Sequence, residues 1–114
     1  MAQAIARAAK SIKAEDVVIL DVSKLAGFCD YFVIASGNSL RQTAAIAQAI
    51  IDDLEKAGIK SLSKVPRGDE SGWLALDYVS VIAHAFYKPM REFYSLESLW
   101  SDAKKVRVVA AKRK

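Results

Sequence analysis

Residues 72–87 are mostly apolar on both sides of Val79-Ser80, with polar side chains only at Asp77, Ser80 and His84. This pattern predicts two strands, residues 73–78 and 81–87, joined by a two-residue turn. Such a turn sets Tyr78 opposite Val81, Asp77 opposite Ile82 and Leu76 opposite Ala83. It then pairs Ala75 with His84, Leu74 with Ala85 and Trp73 with Phe86. Opposed residues share a face of the hairpin, and faces alternate along each strand. One face then carries Leu74, Leu76, Tyr78, Val81, Ala83 and Ala85, an almost wholly apolar set suited to a core. The other carries Trp73, Ala75, Asp77, Ile82, His84 and Phe86, which reads as half-solvated or as a contact surface.

Elsewhere the period changes. Residues 1–13 place Ile5, Ala8, Ala9 and Ile12 on one helical stripe, with Arg7, Lys10 and Lys13 off it. Residues 16–22 and 31–36 are β-branched runs without alternation, as expected of strands covered on both faces. Ser39 is a suitable N-cap, and Gln42 three residues on completes a capping box. The helix it starts carries Leu40, Thr43, Ala44, Ala47, Ile50, Ile51 and Leu54 on one side and stops at Gly58. Residues 60–65 are expected as a short edge strand ended by Pro66, with a polar loop over 66–72. After the hairpin, Pro89 opens a helix in which Met90, Phe93, Leu96, Leu99 and Trp100 recur at helical spacing. The sum is an α/β fold: one domain, a mixed β-sheet, helices packed mainly on one face and the other face partly open.

Composition narrows the class. The chain has 114 residues, 53% of them hydrophobic and 26% charged, with a mean hydropathy of +0.12. That is the profile of a single globular domain. Cys29 is the only cysteine, so no internal disulfide forms, which fits a reducing, cytoplasmic setting. No apolar run is long enough to span a bilayer, and Arg7, Lys10 and Lys13 interrupt the alanine-rich start, unlike a secretory signal. The net charge of +4 is unevenly spread: residues 104–114 hold six basic residues and no acid, leaving eleven basic against thirteen acidic residues before them. Residues 1–103 are therefore expected to form the domain and residues 104–114 a flexible basic tail, able at most to make weak contact with the phosphates of RNA.

The candidate chemistry is sparse. His84 is the only histidine, and with a single cysteine it cannot assemble the three or four ligands that zinc requires. A hydrogen-bonded packing role and an interface contact both remain open to it. Residues 36–39 form a strand-to-helix turn that could cradle phosphate, but they hold one glycine and lack the lysine of a P-loop, and capping alone explains them. Asp52-Asp53, Asp69-Glu70, Asp21 and Asp77 do not form the paired carboxylates of two-metal chemistry. No cofactor or metal is expected. Trp73 and Phe86 could stack on bases, but their hairpin contains no Lys or Arg before Lys88. An aromatic protein-binding face and simple coverage by the N-terminal helix are the two remaining accounts.

Several blocks together resemble the Iojap family of ribosomal silencing factors. They are Asp30-Tyr31-Phe32-Val33-Ile34-Ala35-Ser36-Gly37-Asn38-Ser39 with Arg41-Gln42, then Gly72-Trp73-Leu74-Ala75-Leu76-Asp77-Tyr78 and His84-Ala85-Phe86. Arg91-Glu92-Phe93-Tyr94, Leu96-Glu97 and Leu99-Trp100-Ser101-Asp102-Ala103 complete the set. The order and spacing of the blocks extend over residues 2–103. The departure is at the turn, where Val79 and Ser80 stand in place of the Gly and Asp frequent in the family. The resemblance implies a fold similar to nucleotidyltransferases without their catalytic acids, reused for binding. It implies a non-enzymatic regulator that binds the large ribosomal subunit at ribosomal protein fourteen. Bound there, such a protein obstructs joining of the small subunit and represses translation when nutrients are scarce. On that basis Trp73, Asp77, His84 and Phe86, with Tyr78 and Arg91, are the expected contact residues. The alternatives are a residual nucleotidyltransferase-like enzyme and a small RNA-binding domain acting in ribosome assembly. An open sheet face or edge can also self-associate, so a homodimer is a further alternative.

Overall fold

The computed structural model describes residues 1–62 and 72–108. In chain order the elements are α1 (Ala2–Ser11), β1 (Glu15–Asp21), β2 (Tyr31–Gly37), α2 (Leu40–Lys56), β3 (Trp73–Asp77), β4 (Val81–Tyr87), α3 (Lys88–Tyr94), α4 (Leu96–Leu99) and β5 (Lys104–Val106). The five strands form one mixed sheet in the order β3-β4-β2-β1-β5. β2 and β4 are parallel, and the remaining neighbours are antiparallel.

The sheet separates two apolar layers because its central strands are apolar at consecutive positions. Ile19, Val33, Ala35, Leu74, Leu76, Val81, Ala83 and Ala85 face α1 and α2, where they meet Ile5, Ala9, Ile46, Ile50 and Leu54. Leu20, Phe32, Ile34 and Phe86 face the opposite way and pack with Leu96, Met90 and Trp100 of the α3–α4 region. The two long helices thus lie on one face as expected. The other face is covered in part by the two short helices.

The hairpin register is the one that a two-residue turn predicts, from Trp73 opposite Phe86 to Asp77 opposite Ile82. Its turn is tight. The Ser80 N–H donates to the Tyr78 carbonyl at 2.9 Å, closing a three-residue γ-turn, and the central Val79 has φ 72. A β-branched residue in this region is strained. The Asp77 carboxylate accepts from the Val79 N–H at 2.8 Å and helps to hold the turn.

α2 starts as its sequence indicates: Ser39 Oγ accepts from the Gln42 N–H at 3.0 Å. The return half of the capping box is displaced by one residue, with Gln42 Oε1 accepting from the Asn38 N–H at 2.7 Å. Gly37 is required at this junction, because a Cβ there would lie 2.8 Å from the Thr43 backbone nitrogen. The backbone N–H groups of Asn38, Gln42 and Thr43 at this turn thus donate to the chain's own oxygens.

Three expectations need correction. Residues 60–62 are not a strand, although the Leu62 N–H does donate to the Asp77 carbonyl at 2.8 Å. Residues 63–65 and the loop 66–71 lie outside the described residues. The helix after Pro89 is two helices, because Ser95 has φ 50 and breaks the ladder. Residues 104–106, assigned to the tail, form β5 against Ile19–Asp21, and Val106 and Val108 pack on the core. Lysines suit an edge strand, since charge deters further pairing, which is why this strand reads as tail. Residues 109–114 lie outside the described residues.

Candidate functional site

The mixed face of the hairpin is the part of the molecule where aromatic chemistry concentrates. Trp73 lies at the start of edge strand β3, half-buried, and stacks on Phe86 of β4 at 5.1 Å between ring centroids. Tyr94, the last residue of α3, closes on Trp73 at 4.7 Å and lies 6.3 Å from Phe86, so the three rings form a cluster. The indole N–H donates to His84 Nδ1 at 3.0 Å. Gly72 permits this arrangement: it has φ 80, and a Cβ there would clash with Met90 Cγ at 2.5 Å. The chain can therefore enter β3 directly beneath α3.

From Trp73 the contacts continue in both directions. His84 meets Phe32 edge-on at 4.9 Å, Phe32 meets Trp100 at 5.3 Å, and Trp100 meets Phe28 at 6.5 Å. In the other direction Tyr94 meets Phe93 at 5.3 Å. The rings form a continuous chain from Phe93 to Phe28 whose middle is buried and whose ends are open. Phe28 is 61% exposed, while Phe93 and Leu99 are each 76% exposed. Large apolar side chains held in the open beside ordered aromatics are characteristic of protein-binding surfaces.

His84 is nearly buried, and desolvation lowers its pKa from 6.5 to about 4. It is therefore neutral at physiological pH. Because Nδ1 accepts the indole proton, the ring carries its own proton on Nε2, an atom with no hydrogen-bond partner among the described residues. The low pKa and the Trp73 bond reinforce each other: a protonated Nδ1 could not accept.

The six expected contact residues are not brought together on one surface. Trp73 and Asp77 are half-buried on the mixed face. Phe86 has no accessible surface, and His84 has little; both contact the Trp73 ring from within. Tyr78 points to the opposite layer, where it is buried in the core cluster, and burial raises the pKa of its hydroxyl. Arg91 is buried as well. Its Nε and Nη2 hold both Glu97 oxygens at 2.9 and 3.0 Å, while Nη1 donates to the Asp16 carbonyl and Ser36 Oγ, each at 2.7 Å. This guanidinium ties α3 and α4 to the bulge of β1, and Glu97 is held below the usual carboxylate range by it. The recess above it, about 560 Å³, is lined by cations and acids in equal measure. Coverage of the mixed face by the N-terminal helix is also set aside, since α1 lies on the other layer.

Sequence periodicity missed Phe28, Phe93 and Leu99. Helical spacing groups Phe93 and Leu99 with Met90, Leu96 and Trp100, but the left-handed Ser95 resets the helical phase. Met90, Leu96 and Trp100 then face inward while Phe93 and Leu99 face out. Ser95 before Leu96-Glu97 is the only local signal, and it is weak.

Among the described residues no helix is long and apolar enough to cross a membrane. The family model described as "Ribosomal silencing factor during starvation" matches residues 1–114. The chain is 41% identical over 91 residues to the ribosomal silencing factor RsfS of Bacillus subtilis, covering 80% of this chain and 76% of that protein. It is 36% identical over 104 residues to the chloroplastic protein Iojap of Zea mays, covering 90% of this chain and 44% of that one. A crystal structure of a Chromobacterium violaceum protein superposes with a TM-score of 0.80 at 29% identity, covering 96% of this chain and 89% of that one. By sequence over its whole length and by fold, the chain belongs to the family of ribosomal silencing factors.

Proposed function

We propose that the protein represses translation by occupying the large ribosomal subunit. It binds ribosomal protein fourteen through the aromatic face around Trp73, and its bulk blocks association with the small subunit when nutrients are limiting. The observation that carries the reading is the ring chain from Phe93 to Phe28, fixed at its centre by the Trp73–His84 hydrogen bond and open at its ends. A pre-ordered aromatic loses little side-chain entropy on binding, and tryptophan is among the residues most often found at the energetic centre of an interface. The relatives' names, which speak of ribosomal silencing, support a ribosomal partner without specifying the subunit or protein. Action by occupancy requires no reaction centre; it requires only a surface and a body of sufficient size.

Co-sedimentation with isolated large subunits tests the reading. The wild-type protein is expected in the large-subunit fraction, and purified ribosomal protein fourteen is expected to compete it off. Sedimentation with small subunits instead, or indifference to the competitor, would refute the proposed site.

A further inference from the structure

At the sheet edge away from the hairpin, α1 and β5 bring together cations that the aromatic face does not use. Gln3 Nε2 donates to the Arg107 carbonyl at 2.8 Å, fastening α1 beside the chain that leaves β5. Arg7 and Lys10 follow Gln3 by four and seven residues, so they continue the same helix face. Lys10, Lys105 and Arg107 line one groove of about 440 Å³, where β1 and the end of β5 diverge, and no acid lines it. None of the four cations forms an ion pair among the described residues. Glu97, whose charge Lys105 also feels, is already held by Arg91.

The segregation is strong. With Arg7, Lys10, Lys105 and Arg107 set aside, the described residues hold eight basic and eleven acidic side chains. Like charges at neighbouring helix positions cost stability. A net acidic body could have neutralised this edge and does not. The sequence beyond Val108 adds Lys112, Arg113 and Lys114 with no acid. An elongated array of unpaired cations matches a polyanion with closely and regularly spaced charge, which is the property of a nucleic-acid backbone.

We propose that the α1–β5 edge binds the phosphodiester backbone of RNA through Arg7, Lys10, Lys105 and Arg107, without base specificity. The edge is four strand spacings from β3, where Trp73 lies, roughly 19 Å, so it can hold RNA while a protein sits on Trp73. This inference does not depend on the partner proposed for that face.

The test uses the full chain and a short fluorescein-labelled RNA duplex, read by anisotropy as a function of salt. Four phosphate contacts predict a slope of log affinity against log salt of about −3 to −4, a loss of about 100-fold between 50 and 200 mM. The variant Arg7→Gln/Lys10→Gln/Lys105→Gln/Arg107→Gln is expected to lose most of that slope and to bind more than about tenfold more weakly at low salt. The control Lys24→Gln/Arg41→Gln/Lys56→Gln/Lys60→Gln carries the same net charge on other surfaces and is expected to stay within about twofold of wild type. Lys112→Gln/Arg113→Gln/Lys114→Gln is expected to leave the difference between those two variants in place. Equal losses in the edge and control variants would overturn the proposal, as would no RNA binding by the wild type. Loss from the tail variant alone would also overturn it. Displacement of the RNA by polyglutamate at equal charge would assign the edge to an acidic protein instead. Circular dichroism establishes that each variant is folded, and binding to ribosomal protein fourteen by the edge variant keeps the two sites separable.

Discussion

The indole N–H of Trp73 donates to Nδ1 of His84 at 3.0 Å, a diagonal contact across the hairpin, since Trp73 is paired with Phe86 and His84 with Ala75. The bond makes a buried neutral histidine the support of a half-exposed tryptophan. An asparagine at position 84 can offer its side-chain oxygen near the place of Nδ1, whereas a leucine cannot. His84→Asn is therefore expected to retain binding to large subunits within a few fold, and His84→Leu to weaken it by about 1 kcal/mol or more, the worth of one lost hydrogen bond. The indole N–H resonance of Trp73 should shift upfield in His84→Leu and remain near its native position in His84→Asn. Equal binding by all three proteins would show that the bond does not position the ring.

The same histidine makes stability depend on pH. Its folded pKa of about 4 lies below the ordinary 6.5 because burial disfavours the charged ring. Between those values the unfolded chain binds a proton that the folded chain refuses, so stability falls as pH drops from 6.5 towards 4 and the effect is complete below 4. The full shift is on the order of 3 kcal/mol. Urea titrations from pH 7.5 to 4 should show a steeper loss for wild type than for His84→Asn, whose side chain does not titrate. Parallel curves would contradict a buried neutral His84.

Arg91 predicts a different phenotype. Its guanidinium is committed to Glu97, Ser36 and the Asp16 carbonyl. Arg91→Leu leaves those acceptors unpaired and should cost about 3 kcal/mol, with faster hydrogen exchange concentrated in α3 and α4. Arg91→Lys should recover only part of this, because an ammonium cannot reproduce the two parallel bonds to a carboxylate. Full recovery by lysine would contradict the bidentate geometry.

The turn offers a stabilising change. Val79 has φ 72 and is largely solvent-exposed, so its side chain adds strain and little packing. Val79→Gly should raise stability by about 1 kcal/mol, read as an increase in thermal midpoint. Gly37→Ala should do the opposite, losing about 2 kcal/mol or more, because the new methyl would meet the backbone of Thr43, which cannot rotate away. A destabilised Val79→Gly would contradict the γ-turn.

These outcomes separate what the sequence makes legible from what it hides. The hairpin register follows from apolar runs on either side of a two-residue turn, a local pattern, and Trp73 does stand opposite Phe86. The start of α2 follows from Ser39 and Gln42, again local chemistry. What covers the mixed face depends on a single backbone torsion at Ser95, which no periodicity encodes. Lys104 and Lys105 conceal a strand because an edge tolerates charge that a central strand would reject. For the same reason Arg91 reads as a surface contact: its burial depends on four acceptors drawn from β1, β2 and α4, distant in sequence from one another.

The central claim is that the ring chain around Trp73 is a binding surface. Joining of large and small subunits, followed by sucrose-gradient sedimentation with and without the protein, tests it most directly. Wild type is expected to hold the subunits apart. Trp73→Ala, folded by circular dichroism, is expected to lose about 2 kcal/mol or more of binding and to let them join at the same concentration. Undiminished blocking by folded Trp73→Ala would contradict the account.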